Sequence, residues 1–214
     1  MLVIYISMGD ISGPRAWLLL FMVALWAVRL SAFITIRNHG EPEDHRYQTI
    51  RKNNEPNFRF KSLFIVFGLQ AVLAGFIALP LLVAASSASP LGWLDLIGVT
   101  LWLVGMYFEV VGDQQLKIFR SNPDNQGKVL STGLWRLTRH PNYFGEFTLW
   151  WGYYCLALAA GGWWTIVSPL LMSVLLLKVS GVALLESTIK ERRPGYAEYV
   201  ANTNAFFPGL SRPS

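Results

Sequence analysis

The chain predicts an all-α fold, a polytopic integral membrane helical bundle in a single domain, and three observations carry that prediction. Only 14% of its 214 residues are charged, whereas a soluble domain carries about a quarter. Apolar runs of roughly 20 residues, the length a helix needs to cross a bilayer core, recur five times, at about 16–36, 62–85, 91–111, 143–160 and 163–185. The basic residues gather in alternate connections. Loop 37–61 holds Arg37, Arg46, Arg51, Lys52, Arg59 and Lys61, loop 112–142 holds Lys117, Arg120, Lys128, Arg136 and Arg139, and the tail holds Lys190, Arg192, Arg193 and Arg212. The opposite connections, 86–90 and 161–162, hold no Lys or Arg. The positive-inside rule therefore places the basic loops and the C-terminus in the cytoplasm and the N-terminus outside, as five spans require. No soluble module for nucleic acid is present, and membrane lipid is the expected partner of most of the surface cations.

The opening MLVIYISMGD lacks the basic start of a signal peptide and reads as the end of an earlier membrane helix, so the natural protein is expected to extend further upstream. The first span carries Arg29 within LWAVRLSAF, either as half of a structural ion pair or as a site residue. The loop after it groups His39 and His45 with Glu41, Glu43 and Asp44, at spacings that match no metal motif, and no metal is expected. Pro80 should kink or end the second span near its outer end. Cys155, the single cysteine, excludes a disulfide within the chain and reads as a small buried residue.

The third span ends in FEVVGDQQLKIFR, where Glu109, Asp113, Lys117 and Arg120 form one polar stripe, with Asp113 and Lys117 at ion-pair spacing. After the turn-rich segment SNPDNQGKVLSTG comes GLWRLTRHPNYFGEFTLWWGYY, residues 133–154. Pro141 suits the first turn of the fourth helix, which puts Asn142 and Glu146 one turn apart on one face with Trp150 beyond them. Arg120, Arg136, Arg139 and His140 then surround a helix N-terminus suited to a pyrophosphate or carboxylate, and Asn142 and Glu146 suit a carboxamide or a ribose deeper in. Trp150, Trp151, Trp163 and Trp164 read equally as an interfacial belt. In the last span Lys178 and Glu186 call for partners. The tail that follows reads over 186–200 as an amphipathic surface helix, broken by Pro194 and Gly195, with Tyr196 and Tyr199 on one face, closing the cavity from below.

The blocks FEVVGDQQLKIFR, TGLWRLTRHPNYFGE and LLE…RPGYAEYVANTNAFFP resemble the bacterial membrane branch of the steroid 5-alpha-reductase family across about 20–208. A looser RHPxYxG pattern also marks isoprenylcysteine carboxyl methyltransferases of similar helical architecture, so the block defines the superfamily more sharply than the reaction. The resemblance implies NADPH in a cavity open to the cytoplasm, in a bacterial inner membrane, and hydride delivery to an enone or other lipophilic small-molecule substrate. It places cofactor binding on Asp113, Arg120, Asn142 and Glu146, with Glu109 where animal steroid enzymes have an Asn. Arg136, Arg139, His140, Tyr143, Arg192, Tyr196 and Tyr199 follow as neighbours. Asn142 and Glu146 would set the nicotinamide face and so carry the catalytic role. It divides the domain into N-terminal helices at about 16–85 and a cofactor-binding core at about 91–208, and implies two further helices upstream. Trp26 falls near the place of the Tyr that polarises the substrate ketone in the steroid enzymes. The alternatives are an S-adenosylmethionine-dependent methyltransferase of a lipid or prenylated thiol, and a non-catalytic lipid-binding membrane protein.

Overall fold

The computed structural model describes residues 13–40, 45–179 and 195–210. Every element among them is helical. In order these are α1 (Pro14–Asn38), α2 (His45–Asn54), α3 (Phe58–Ile77), α4 (Leu79–Ala85), α5 (Trp93–Ser121), a single 3-10 turn (Pro123–Asn125), α6 (Leu134–Leu137), α7 (Pro141–Ala159), α8 (Trp163–Val179) and α9 (Tyr196–Asn202). Helices α1, α3 and α5, of 25, 20 and 29 residues, are long and apolar enough to cross a membrane. Helix α8 is a shorter apolar helix, and the 19-residue α7 mixes its apolar residues with polar ones. The second span breaks at Ala78, and Pro80 sits in the first turn of α4, where its missing N–H is not needed.

The bundle is built on one antiparallel pair, α5 with α7, the most extensively packed helices of the chain. Glycines explain the contact. Gly98, Gly105 and Gly112 recur at every seventh residue of α5, and Gly145 and Gly152 do so on α7. A Cβ on Gly105 would lie 2.6 Å from the Gly145 carbonyl oxygen, and one on Gly152 would lie 2.6 Å from that of Gly98. Backbone therefore rests on backbone, the contact that small residues permit between membrane helices, and the seven-residue period keeps the seam facing its partner along both helices. Around the seam Leu19, Met22, Trp102, Leu149, Tyr153 and Leu156 form the core, in which the Trp102 indole N–H donates to the Tyr153 hydroxyl at 3.0 Å. Outward faces carry apolar side chains such as Phe64, Phe67 and Leu103, as lipid contact demands.

One lock closes the end of the bundle that lacks loop cations. Arg15, 1% exposed, donates from Nε and Nη2 to the Asp95 carboxylate at 2.7 and 2.9 Å, from Nη1 to the Ser87 and Ser89 hydroxyls at 2.9 and 2.8 Å, and from Nη2 to the Pro90 carbonyl at 3.1 Å. All five guanidinium N–H groups are thereby used. Asp95 also accepts from the Gly92 N–H at 2.8 Å and so caps α5. The sequence reading began the first span after Arg15 and missed this lock.

At the basic end the tail wraps α6 and the start of α7. The Thr138 hydroxyl donates to the Phe206 carbonyl at 2.8 Å, the Gly209 N–H to the Leu137 carbonyl at 3.0 Å, and Phe206 and Phe207 pack edge-on against Phe144 and Phe147. Residues 203–209 therefore hold the 139–146 block in place. Of the expected tail helix over 186–200, the described part is Tyr196–Asn202; Glu186 and Arg192 lie outside the described residues.

Candidate functional site

The polar stripe of α5 faces α7 and α1 rather than standing alone. Arg29 reaches from α1 to both acids of the stripe, with Nη1 on Glu109 Oε2 and Nη2 on Asp113 Oδ2. Asn142 Nδ2, in the first turn of α7, donates to Asp113 Oδ1. Gly145 explains why α7 comes so close, since a Cβ there would lie 2.7 Å from Glu109 Cγ. Glu146 stands beside Glu109, and its Oε1 accepts from the Trp150 indole at 2.8 Å. Trp150 meets Trp26 of α1 edge-on, with ring centroids 6.1 Å apart. Three helices thus deliver Arg29, Glu109, Asp113, Asn142 and Glu146 to one cluster at the membrane depth of α5.

The cluster is incomplete by its own hydrogen bonds. Glu109 is 2% exposed, and its Oε1 is buried without a donor; so is Asn142 Oδ1, and the indole N–H groups of Trp26 and Trp151 are buried without an acceptor. Buried polar atoms are nearly always paired, and each unpaired one costs about 1–3 kcal/mol. The Glu109 and Glu146 carboxyls, set side by side, bring two acceptors together and need a proton or an N–H or O–H donor between them. This donor-seeking face fits the amide and hydroxyl groups of a nucleotide cofactor.

Other sequence-predicted residues fall elsewhere. Asp113 turns to Arg29 and Asn142 instead of Lys117, and none of the three ion pairs among the described residues involves Lys117. The reason is reach. A buried carboxylate takes the cation that α1 brings into the membrane, while Lys117 stands exposed one turn nearer the basic end. Arg120 is exposed, about 10 Å further along α5 than Asp113 at 1.5 Å per residue. Arg139 is buried, and its Nη1 donates to the Val200 and Thr203 carbonyls at 3.1 and 2.7 Å, so on this geometry it ties the tail down. His140 is buried and stacks on Tyr143 with ring centroids 5.6 Å apart. Tyr196 and Tyr199 do share a face, with centroids 5.9 Å apart, but both are buried, and the Tyr199 hydroxyl donates to the Trp135 carbonyl. Arg136 lines a cavity of about 390 Å³ at the basic end together with Lys128, Ser131, Glu198 and Tyr199. Trp150 belongs to the core and the cluster instead of an interfacial belt; Trp163, 69% exposed, and Trp164 do face outward.

Trp26, which the resemblance sets near the place of a ketone-polarising Tyr, stands in the cluster wall with its indole N–H buried without an acceptor. Gln115 escaped the sequence reading; it accepts the Leu134 N–H at 3.0 Å, holding α6 to α5. It had a signal in Gly133, whose φ of +61° marks a turn that glycine adopts freely. The Gln115 side chain fills the space a Cβ would take there.

Comparison with known proteins follows the same lines. A probable O-methyltransferase from Ustilaginoidea virens is 45% identical over 65 residues, covering 30% of this chain and 22% of that protein. The 3-oxo-5-alpha-steroid 4-dehydrogenase 1 of Bos taurus is 34% identical over 68 residues, covering 32% of this chain and 26% of that protein. An uncharacterized protein of Schizosaccharomyces pombe is 26% identical over 232 aligned positions, covering 94% of this chain and 65% of that protein. The chain thus spans less than two thirds of the length of each of these relatives. No solved structure matches it. The model of one family, the proteins of unknown function designated DUF1295, matches residues 1–203, and the chain belongs to that family.

Proposed function

We propose that the chain is a membrane-embedded, NADPH-dependent reductase that transfers hydride to an activated C=C of a lipophilic substrate, an enone or a related lipid. The observation that carries this reading is the pair of buried acceptors without donors, Glu109 Oε1 and Asn142 Oδ1, in a cluster built where the RHPNYFGE block begins its helix. The short similarities to a steroid dehydrogenase support it. NADPH supplies the hydride when bound. Asn142 and Glu146 hold and orient the donor end through amide and hydroxyl contacts, and Glu109 and Asp113 complete that face. Arg120 and Arg136 serve the phosphates from the basic end, with Arg139, His140, Tyr143, Tyr196 and Tyr199 framing the approach; Arg192 is assigned to the same group from sequence alone. The surrounding bilayer and the aromatic wall exclude water, which strengthens each polar contact in the site. The basic end faces the cytoplasm of a bacterial inner membrane, with five spans and the N-terminus outside, as the Lys and Arg asymmetry favours.

A methyltransferase using S-adenosylmethionine is the second reading, and the similarity to a probable O-methyltransferase favours it. The deciding experiment incubates the purified protein with a panel of lipophilic enones and either NADPH or S-adenosylmethionine. The reductase reading expects NADPH oxidation with a product two mass units heavier than the substrate. Methylated products with S-adenosylmethionine, and no reduction, would sink it.

A further inference from the structure

The charge count of the cluster goes further than its hydrogen bonds. Three carboxyl groups, Glu109, Asp113 and Glu146, meet one guanidinium, that of Arg29. Arg29 is the cation that acts on Glu109, against Glu146 and Asp113. Arg37, further along α1 toward the basic end, adds its field at Asp113 but lies over the Phe33 ring and, among the described residues, makes no ion pair with the three carboxyls. Three carboxyl groups therefore stand against the single guanidinium that the cluster itself contains. Burial magnifies that excess, because interactions between charges strengthen as water is removed. The unpaired atoms point the same way. Glu109 Oε1, on a residue 2% exposed, and Asn142 Oδ1 are both acceptors without a partner, and a ligand that brings donors would satisfy them. Trp150 turns its indole N–H edge to Glu146 and meets Trp26 edge-on, so these neighbours of the carboxyls add no cation to the cluster.

We infer that the Glu109–Asp113–Glu146 cluster binds the positively charged state of its cofactor's reactive head more tightly than the neutral state. The inference rests on the reductase reading and gives these carboxylates an electrostatic role in it. In that reaction the hydride passes with its electron pair from C4 of the dihydronicotinamide to the acceptor carbon, breaking one C–H bond and forming another. The ring would be oxidised to a pyridinium cation, and the alkene would be reduced once a proton, drawn from bulk water through the basic end, reaches the neighbouring carbon. A ring held at this cluster would gain positive charge beside three carboxyl groups already in place. Stabilisation of charge that develops only in the transition state accelerates the step.

The test is equilibrium binding, by calorimetry on the detergent-purified full chain, of NADP+ and NADPH to wild type and to Glu146→Gln. The Gln side chain keeps a carbonyl oxygen for the Trp150 indole while removing one of the three carboxyl groups. Wild type is expected to bind NADP+ at least roughly tenfold more tightly than NADPH, and Glu146→Gln to reduce that ratio by several-fold. Equal affinities, or tighter NADPH, in wild type would overturn the inference while leaving the reductase reading intact. An unchanged ratio in a folded Glu146→Gln would also overturn it. Absence of binding by both nucleotides would overturn the inference together with the reading beneath it. Should Glu146→Gln fail to fold, the wild-type ratio decides alone.

Discussion

Helix α1 carries two buried or half-buried arginines fourteen positions apart, about 21 Å along the helix, and they are built differently. Arg15 closes the end without loop cations with all five of its N–H groups used and its partner Asp95 held by a further backbone donor. Arg29, with 16% of its side chain exposed, spans two acids that belong to an unfinished network, with an acceptor left over on Glu109 and another on Asn142. A saturated ion pair has no capacity left for a ligand. An unsaturated one, with excess negative charge, retains that capacity at a cost in stability. On the proposed function, the difference separates scaffold from site within a single helix.

The largest expected effect falls on the saturated end. Arg15→Met leaves Asp95 buried and unpaired and should cost about 3–5 kcal/mol, read as a lowered unfolding temperature in detergent. Adding Asp95→Leu to Arg15→Met should recover part of that loss, because an apolar pair carries no desolvation debt. A loss as small as that of a surface change would remove the distinction between the two arginines. Next comes the seam that brings both acids into position. Gly105→Ala sets a Cβ 2.6 Å from the Gly145 carbonyl oxygen and should cost about 1–3 kcal/mol by overpacking, with a matching fall in nucleotide binding as α7 moves away from Glu109. Arg29→Gln should cost less than Arg15→Met, about 1–2 kcal/mol, since Asp113 keeps its Asn142 donor, yet it should change nucleotide affinity where Arg15→Met in any folded fraction does not. Glu146→Gln sharpens the comparison most finely. Its stability should stay within about 0.5 kcal/mol of wild type, measured by thermal unfolding, while cofactor binding weakens.

The membrane class, the break near Pro80 and the acids of the Arg29 cluster were legible because each violates the expectation of its surroundings. Charges within apolar runs and a proline within a helix are conspicuous in one dimension. Their partners were not. The sequence placed Asp113 with Lys117 because helical spacing is readable, while the cation actually used, Arg29, comes from a different helix and depends on packing. Arg15 went unread because an arginine at the end of a span looks like a snorkelling side chain. Trp150 fitted an aromatic belt for a related reason, as composition reports an indole near a helix end without reporting its depth. The glycine seam was readable in principle. Gly98, Gly105 and Gly112 against Gly145 and Gly152 form two seven-residue repeats whose antiparallel register aligns Asp113 with Asn142 and Glu109 with Glu146.

On the proposed function the Arg29 cluster holds the cofactor and the Arg15 lock does not. Thermal unfolding of the detergent-purified protein with and without NADPH tests it most directly, since a ligand at a hundred times its dissociation constant stabilises the folded state by about 2.7 kcal/mol. The account predicts a rise in unfolding temperature with NADPH that Asn142→Ala abolishes and that S-adenosylmethionine does not reproduce. No rise with NADPH, or an equal rise in Asn142→Ala, would contradict it.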